Sequence, residues 1–351
     1  MPAVSIIPPE AKTKHRTTIP NLAGVLNGFK DSQPRFTARH LKFTVVPRED
    51  MPIGLVLEEI KSLLLSNEVL STAAIKEKRT ATFELDVEMT PICDGAVASI
   101  LSRMISASVY EFGTSKVVNK SPLAMEPNMS YAPLFDGNGR VRTLYRPTNH
   151  AGATGAKYAA LMVNLLGEPP GSSMLVPMGG YLGEAIAGAL CGYHVTVGDI
   201  SPWVKTGREK VRFYTGESTL ELSEADYVRV RDSVAEHRRR GIPLERLRNI
   251  EFSRWNATRL PFRKEAFDCS AFDPPFGRAT KPQNTTSENP VEAAVEFANE
   301  VVRVIKRGGP IVMRIPIEWK EQIADEVLNV NLVGAFGIPN DHMAMIKFRK
   351  G

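Results

Sequence analysis

Short apolar runs alternate with amphipathic stretches through the second half of the chain. Ala153–Leu166 (ATGAKYAALMVNLL) has apolar positions at helical spacing and leads through the turn GEPPGS into the apolar strand Met174–Pro177. Glycine-rich text, a small-residue helix over Glu184–Leu190 and a second strand over Tyr193–Val197 follow, ending in Gly198-Asp199. Strand, glycine turn, helix, strand and acid in that order predict a parallel, doubly wound nucleotide-binding sheet. The apolar run Phe267–Phe272, a helix from Pro290 to Lys306, the strand Pro310–Ile315 and a helix from Glu318 to Leu328 extend it. Two β-type runs, Leu332–Phe336 and Met343–Phe348, joined through Gly337–His342, close the chain. A hairpin-like finish of this kind predicts one antiparallel strand on an otherwise parallel sheet.

The first half has another rhythm. Residues 1–34 hold several prolines and polar residues without a sustained period, the pattern of a flexible arm. A β-type run (Lys42–Val46), a helical stretch (Ile53–Leu65), an alternating strand (Thr80–Met89) and a helical stretch from Asp94 to Tyr110 then predict a small α+β domain. Residues 120–150 are rich in Pro, Asn, Gly and Met, the composition of a linker or of loops that wrap a neighbour. The expected organisation is an arm (1–34), a small α+β domain (35–145) and an α/β domain (146–351), with no internal repeat.

Composition narrows the class. With 351 residues, 43% hydrophobic and 24% charged, the chain has a folded protein's balance and room for two domains. It lacks a run of about 18 apolar residues, and the start MPAVSIIPPEAKTKHR has no apolar core of a secretory signal, so an intracellular, cytoplasmic protein without a membrane partner is expected. Cys93, Cys191 and Cys269 lie far apart, with no CxxC or Cys/His cluster. Reduced thiols and no metal site follow. The net charge of +5 leans toward a polyanionic partner.

Asp273-Pro274-Pro275-Phe276 is the sharpest chemical signal. Consecutive prolines cannot donate to a sheet ladder, so the strand before them ends there and presents the next side chains at its carboxyl edge, where α/β sheets bind ligands. An aryl amine is a poor nucleophile because its lone pair is delocalised into the ring. An acid and a Pro carbonyl can each accept one N–H, while an aromatic face stacks on the base. Asp273, the Pro274 carbonyl and the Phe276 ring match those functions; the same residues also make an ordinary turn. Upstream, Gly179, Gly180 and Gly183 between strand and helix let backbone approach a ligand and aim amides at a carboxylate. Asp199, about 20 residues on, is placed to hold ribose hydroxyls or to serve as a turn acid. Between them and the DPPF run, Arg229, Arg231, Arg238, Arg239, Arg240, Arg246 and Arg248 stand against Asp232, Glu236 and Glu245. Arginine forks suit phosphates, and a solvated helix face with internal pairs is the other reading.

The run Asp273–Phe276 resembles the (D/N/S)PP(Y/F/W) motif of class I S-adenosylmethionine-dependent amino-methyltransferases. The longer text is similar to the tRNA guanine N2-methyltransferases of the THUMP-associated group: AALMVNLLG at 159–167, VPMGGYLG at 176–183, NATRLPF at 256–262 and DPPFGR at 273–278 stand in family order. The resemblance covers about 148–348; the first half shows no THUMP match. It implies a Rossmann-like methyltransferase sheet whose catalytic residues are Asp273, Pro274, Pro275 and Phe276. It also implies an S-adenosylmethionine site at Pro177, Gly179, Gly180, Gly183, Asp199, Ile200, Asn256 and Ala257. Arg238, Arg239, Arg240 and Arg278 would contact RNA, a tRNA or another structured RNA, with no metal needed. The chain departs from the family at Val176, where an acid would face the methionine ammonium, at Tyr181-Leu182 in place of Thr-Gly, and at Asn256 in place of the adenine-binding acid. Those departures keep a catalytically inactive RNA-binding or assembly protein open, and DPPF also fits methylation of DNA adenine or a protein glutamine amide. No protein partner is legible.

Overall fold

The computed structural model describes residues 4–5, 39–47, 51–65, 72–77, 83–89, 104–111, 156–180, 182–201, 208, 211–212, 215–217, 243–276, 285, 287–338 and 342–351. Two sheets organise them. The first contains β1 (Val4–Ser5), β2 (Arg39–Pro47), β3 (Thr72–Glu77), β4 (Phe83–Met89) and β5 (Ala107–Glu111), in the order β1-β3-β4-β2-β5, with every pairing antiparallel. Helix α1 (Ile53–Leu65) follows β2. The end of the helix expected over 94–110 is instead strand β5, with Val109 opposite Val45 and Tyr110 opposite Thr44. Pairing along β2 satisfies its backbone ladder, and Val and Tyr suit a pleated surface, so tertiary pairing overrides the local period. Strand β3 was not expected, because TAAIKE has helix-prone residues that only the neighbouring strands hold extended.

The second sheet holds the chemistry. It comprises β6 (Ser173–Val176), β7 (His194–Asp199), β8 (Ile250–Arg254), β9 (Cys269–Phe272), β10 (Pro310–Pro316), β11 (Val330–Ile338) and β12 (Met343–Lys350), ordered β11-β12-β10-β9-β6-β7-β8. Strands β8, β7, β6, β9 and β10 are mutually parallel, and β12 runs antiparallel between β10 and β11. The α/β sheet expected from the sequence, mostly parallel with one antiparallel strand, is therefore the observed one. Helices α2 (Ala156–Leu166), α3 (Gly183–Leu190), α4 (Pro290–Val304) and α5 (Lys320–Glu326) accompany it, and a 3-10 turn over Ile317–Trp319 replaces the first turn of the helix expected from Glu318. Helix α4 starts sharply because Asn289 caps it by accepting from the Val291 N–H at 3.0 Å, with Pro290 in the first turn.

The order of these strands fixes where a ligand can sit. Topology reverses between β6 and β9: the chain leaves β6 toward β7 on one side and returns through β9 on the other. Open α/β sheets bind ligands at the carboxyl edge beside such a reversal. Cysteine Cys269, at the start of β9, is fully buried, and that burial pushes its thiol well above the usual value.

Helix α1 belongs to the same core as the second sheet. Leu55, Val56, Ile60 and Leu63 pack in one cluster with Leu161, Leu165 and Met345. Buried Glu59 accepts from the N–H groups of Ile105 and Ser106 at 2.9 Å, from the Ser106 hydroxyl and from Asn164 Nδ2 at 2.7 Å, tying α1 to α2. Burial pushes the Glu59 carboxyl up, with those hydrogen bonds pulling the other way. Buried Lys347 on β12 donates to Glu58 Oε1 at 2.7 Å and to Ser62 Oγ at 2.9 Å. The boundary expected near Tyr145 lies outside the described residues, as does all of the arm except β1.

Candidate active site

The end of β6 builds a backbone cradle. Val176 is fully buried, and the chain then turns through Pro177, Met178, Gly179 and Gly180. Gly179 donates its N–H to the Gly198 carbonyl at 2.7 Å, and a Cβ there would lie 2.4 Å from Val197 Cγ2, so only glycine allows this approach. Gly180 has φ +42° with open space around its Cα, and its N–H donates to Asp199 Oδ2 at 2.9 Å. The other carboxylate oxygen of Asp199 accepts from the Ser201 N–H at 2.9 Å. The acid at the end of β7 thus holds the glycine loop on one side and its own following turn on the other, while staying half-exposed, as does Ile200. Gly183 opens α3, and Glu184 in its first turn is buried.

Beyond β8, Trp255, Asn256 and Ala257 form the next wall. Buried Trp255 donates its Nε1–H to the Pro177 carbonyl at 2.8 Å and meets Phe262 edge to face at 5.1 Å. Its indole lies where a side chain on Gly198 would be, 2.4 Å from an ideal Cβ. Asn256 is half-exposed, its Oδ1 accepting from the Thr258 N–H at 3.1 Å, and Ala257 is buried against Ala293 and Phe297. The loop that follows is clamped from α4: Glu300 accepts from the Leu260 N–H at 2.7 Å, and Arg303 donates to the Leu260 and Phe262 carbonyls at 2.9 and 2.8 Å. Trp255 escaped sequence reasoning, although a tryptophan directly before the predicted Asn256 is the sort of residue that fixes such a loop.

Strand β9 ends at Phe272, and Asp273, Pro274, Pro275 and Phe276 follow in irregular backbone at its carboxyl end, as the prolines require. The parallel register pairs Met313 with Phe272 and so sets Arg314 alongside Asp273. Arg314 Nη1 donates to Asp273 Oδ2 at 3.0 Å, with both side chains 11% exposed. The same guanidinium sits 5.0 Å from the centroid of the Tyr158 ring on α2. Phe276, three residues after the acid, meets Trp319 at 5.8 Å between centroids and 73° between planes, an edge-to-face contact. Neither Arg314 nor Trp319 was singled out from the sequence; a lone charge in PIVMRIP was the available signal.

Arg238, Arg239, Arg240 and Arg278 lie outside the described residues, as do Arg229, Arg231 and Tyr181. Arg246 donates to the Leu190 carbonyl at 2.8 Å, and Arg248 pairs with Glu217 at 2.6 Å. These two arginines hold groups far along the chain, so their contacts are not the pairs within one helix that the solvated-face reading expects. Among the described residues, no group of three or more His, Cys, Asp and Glu side chains could hold a metal ion.

A family model described as RMKL-like, methyltransferase domain matches residues 143–320, slightly more than half of the chain. No curated protein matches. Among solved structures, TrmN from Thermus thermophilus aligns at 13% identity and a TM-score of 0.38, over 78% of this chain and 57% of that one. The chain thus spans little more than half the length of TrmN. The rRNA methyltransferase aviRa from Streptomyces viridochromogenes aligns at 11% identity and a TM-score of 0.42, over 66% of this chain and 95% of that one.

The cradle fits S-adenosylmethionine. Open backbone at Gly180, the half-exposed acid Asp199 and the half-exposed amide Asn256 face one edge. Of the bulkier residues that stand in the family's small or acidic positions, Val176 is fully buried and Leu182 is 4% exposed, and both belong to the core cluster. Leu182 holds φ +68°, the left-handed conformation glycine adopts freely, so the loop keeps its path at a strain on the order of 1 kcal/mol. No carboxylate stands at position 176 to face an ammonium; an acid comes next at Glu184.

Proposed function

The chain belongs to the RMKL-like methyltransferase domain family, and from that premise we propose that it transfers a methyl group from S-adenosylmethionine to an exocyclic amine of a nucleobase in RNA. The target we favour is guanine N2 in a tRNA or another structured RNA. The observation that supports this reading is the carboxyl end of β9, the neighbour of β6 in the sheet, where Asp273, paired with Arg314, is followed by Pro274, Pro275 and Phe276, whose ring meets Trp319. The net charge of +5 agrees with a polyanionic substrate.

Each residue has a role in this scheme. Pro177, Gly179, Gly180 and Gly183 shape the loop that receives the amino-acid end of the cofactor. Asp199 and Ile200 would hold the ribose, and Asn256 and Ala257 the adenine, whose amino group Asn256 could hydrogen-bond without a charge. When bound, S-adenosylmethionine supplies an electrophilic methyl group whose carbon–sulfur bond breaks as the nitrogen–carbon bond forms, the electron pair staying on sulfur. Asp273 accepts one N–H of the amine and relays its proton to solvent, the Pro274 carbonyl accepts the other N–H, and Pro275 keeps the turn rigid. The base stacks on Phe276, which Trp319 meets edge to face. Orientation supplies most of the rate, because aligned reactants convert a bimolecular encounter into a unimolecular one. A paired base must first be flipped out, at about a few kcal/mol, so a loop or junction is the easier target. Arg238, Arg239, Arg240 and Arg278 are assigned to phosphates, and the first sheet to gripping RNA in the cytoplasm. No helix among the described residues is long and apolar enough to cross a membrane.

Asp273→Ala tests the scheme. Methyl transfer to RNA is lost while RNA binding, followed by filter retention, stays within about twofold of wild type; near-normal turnover would remove Asp273 from its role.

A further inference from the structure

We propose that Arg314 is a positioning residue for the methyl-accepting amine, acting through Asp273; the inference rests on the reading of Asp273 as the amine's acceptor. Strand β10 is otherwise made of buried apolar residues and prolines, and Arg314 is its one half-buried position. A guanidinium in such a strand is costly unless it is paired. Two contacts hold it: Nη1 on Asp273 Oδ2 at 3.0 Å and Cζ over the Tyr158 ring, 5.0 Å from its centroid. The pair thereby joins three elements, namely α2, the end of β9 and β10.

The consequence concerns direction more than charge. Rotation of an aspartate about its terminal torsion is broad and roughly two-fold, so an unconstrained carboxylate sweeps its lone pairs through a wide arc. A carboxylate accepts at about four lone-pair sites, and a guanidinium bound at one oxygen fixes the plane in which the others point. On this proposal Arg314 narrows the directions in which Asp273 can accept from the amine. Misplacing a reacting group by about 1 Å costs on the order of a hundredfold in rate.

Steady-state transfer of labelled methyl to total RNA, with S-adenosylmethionine affinity measured separately by calorimetry, tests the assignment. Arg314→Met should lower kcat by about 30- to 100-fold, while KM for RNA and Kd for S-adenosylmethionine stay within about twofold. Arg314→Lys keeps the charge but loses the planar fork and the stacking, and should recover part of the rate, leaving about a three- to tenfold loss. If Arg314→Met fails to fold, Tyr158→Leu, with Tyr158→Phe as the control that keeps the ring and drops only the hydroxyl, removes the aromatic face over the guanidinium and should give a similar partial loss in kcat. A scaffolding role would instead raise Kd and KM alongside the fall in kcat, with Lys no better than Met, and that pattern overturns the proposal, as does wild-type kcat in Arg314→Met. Asp273→Ala, which leaves no side-chain acceptor, separates the two levels. If it turns over normally, the reading of the acceptor itself fails; if it is inactive while Arg314→Met is normal, only the role of Arg314 fails.

Discussion

Replacing Gly198 by Ala should disturb the cofactor cradle from the inside. The new methyl group would lie 2.4, 2.5 and 2.6 Å from three carbons of the Trp255 indole. Carbon–carbon contacts are comfortable from about 3.5 Å, so the ring must retreat by about 1 Å. That retreat takes Trp255 Nε1, now 2.8 Å from the Pro177 carbonyl, out of hydrogen-bond range. Overpacking costs about 1–3 kcal/mol and the stranded hydrogen bond about 1 kcal/mol more, partly offset by the backbone entropy that Ala saves, for a net loss of about 1.5–3 kcal/mol. Because Gly198 also receives the Gly179 N–H and Trp255 directly precedes Asn256, the same shift should weaken S-adenosylmethionine binding by about tenfold, or about 1.4 kcal/mol. Urea unfolding and calorimetry read the two effects. In a Trp255→Leu background the clash is gone, and the added cost of Gly198→Ala should fall below about 1 kcal/mol. Unchanged stability and affinity in Gly198→Ala would refute the claim that the indole props the cradle.

Asp199→Asn keeps the shape of the side chain but turns one acceptor into a donor facing the N–H of Gly180 or Ser201, so S-adenosylmethionine affinity by calorimetry should fall about ten- to a hundredfold, or about 1.4–2.7 kcal/mol. Glu59→Gln strands at least one buried backbone N–H, that of Ile105 or of Ser106, whichever way its amide turns, and should cost about 1–3 kcal/mol in urea unfolding at neutral pH. The Glu59 carboxyl is raised in the folded state, so its contribution is fully present below the unfolded value of 4.5 and is lost as pH rises through the folded value; the gap between wild type and Gln should widen on acidification. Lys347→Met leaves Glu58 without its buried cation and should destabilise by about 3–5 kcal/mol, whereas adding Glu58→Leu should recover most of the loss.

Local chemistry made much of the second sheet legible. Two prolines can only end a strand, so Asp273 fell at the carboxyl edge; Gly198-Asp199 after an apolar run placed the acid at the end of β7; and α1 was read to its observed ends, because its apolar period is sustained from Ile53 to Leu65. What escaped was decided by pairing across long separations. Strand β8 is mostly exposed, and IEFSR is held extended by its register with β7, which a linear pattern does not encode. Strand β5 was read as helix for the same reason. Arg314 meets Asp273 only through the β9–β10 register, and Trp319 reaches Phe276 only because a 3-10 turn replaces the start of a helix. The two bulky departures at Val176 and Leu182 looked like obstacles in the sequence. Their side chains pack in the core, a direction that spacing alone does not give.

The central claim is that this sheet edge methylates an amine on a nucleobase. Its most direct test is transfer of labelled methyl from S-adenosylmethionine to total RNA, DNA and protein, followed by digestion and identification of the labelled product. Label in an RNA nucleoside carrying the methyl on its exocyclic nitrogen is the predicted result. Label confined to DNA or protein, or to a carbon or a ribose oxygen, would contradict the account, as would a protein that binds the cofactor and labels nothing.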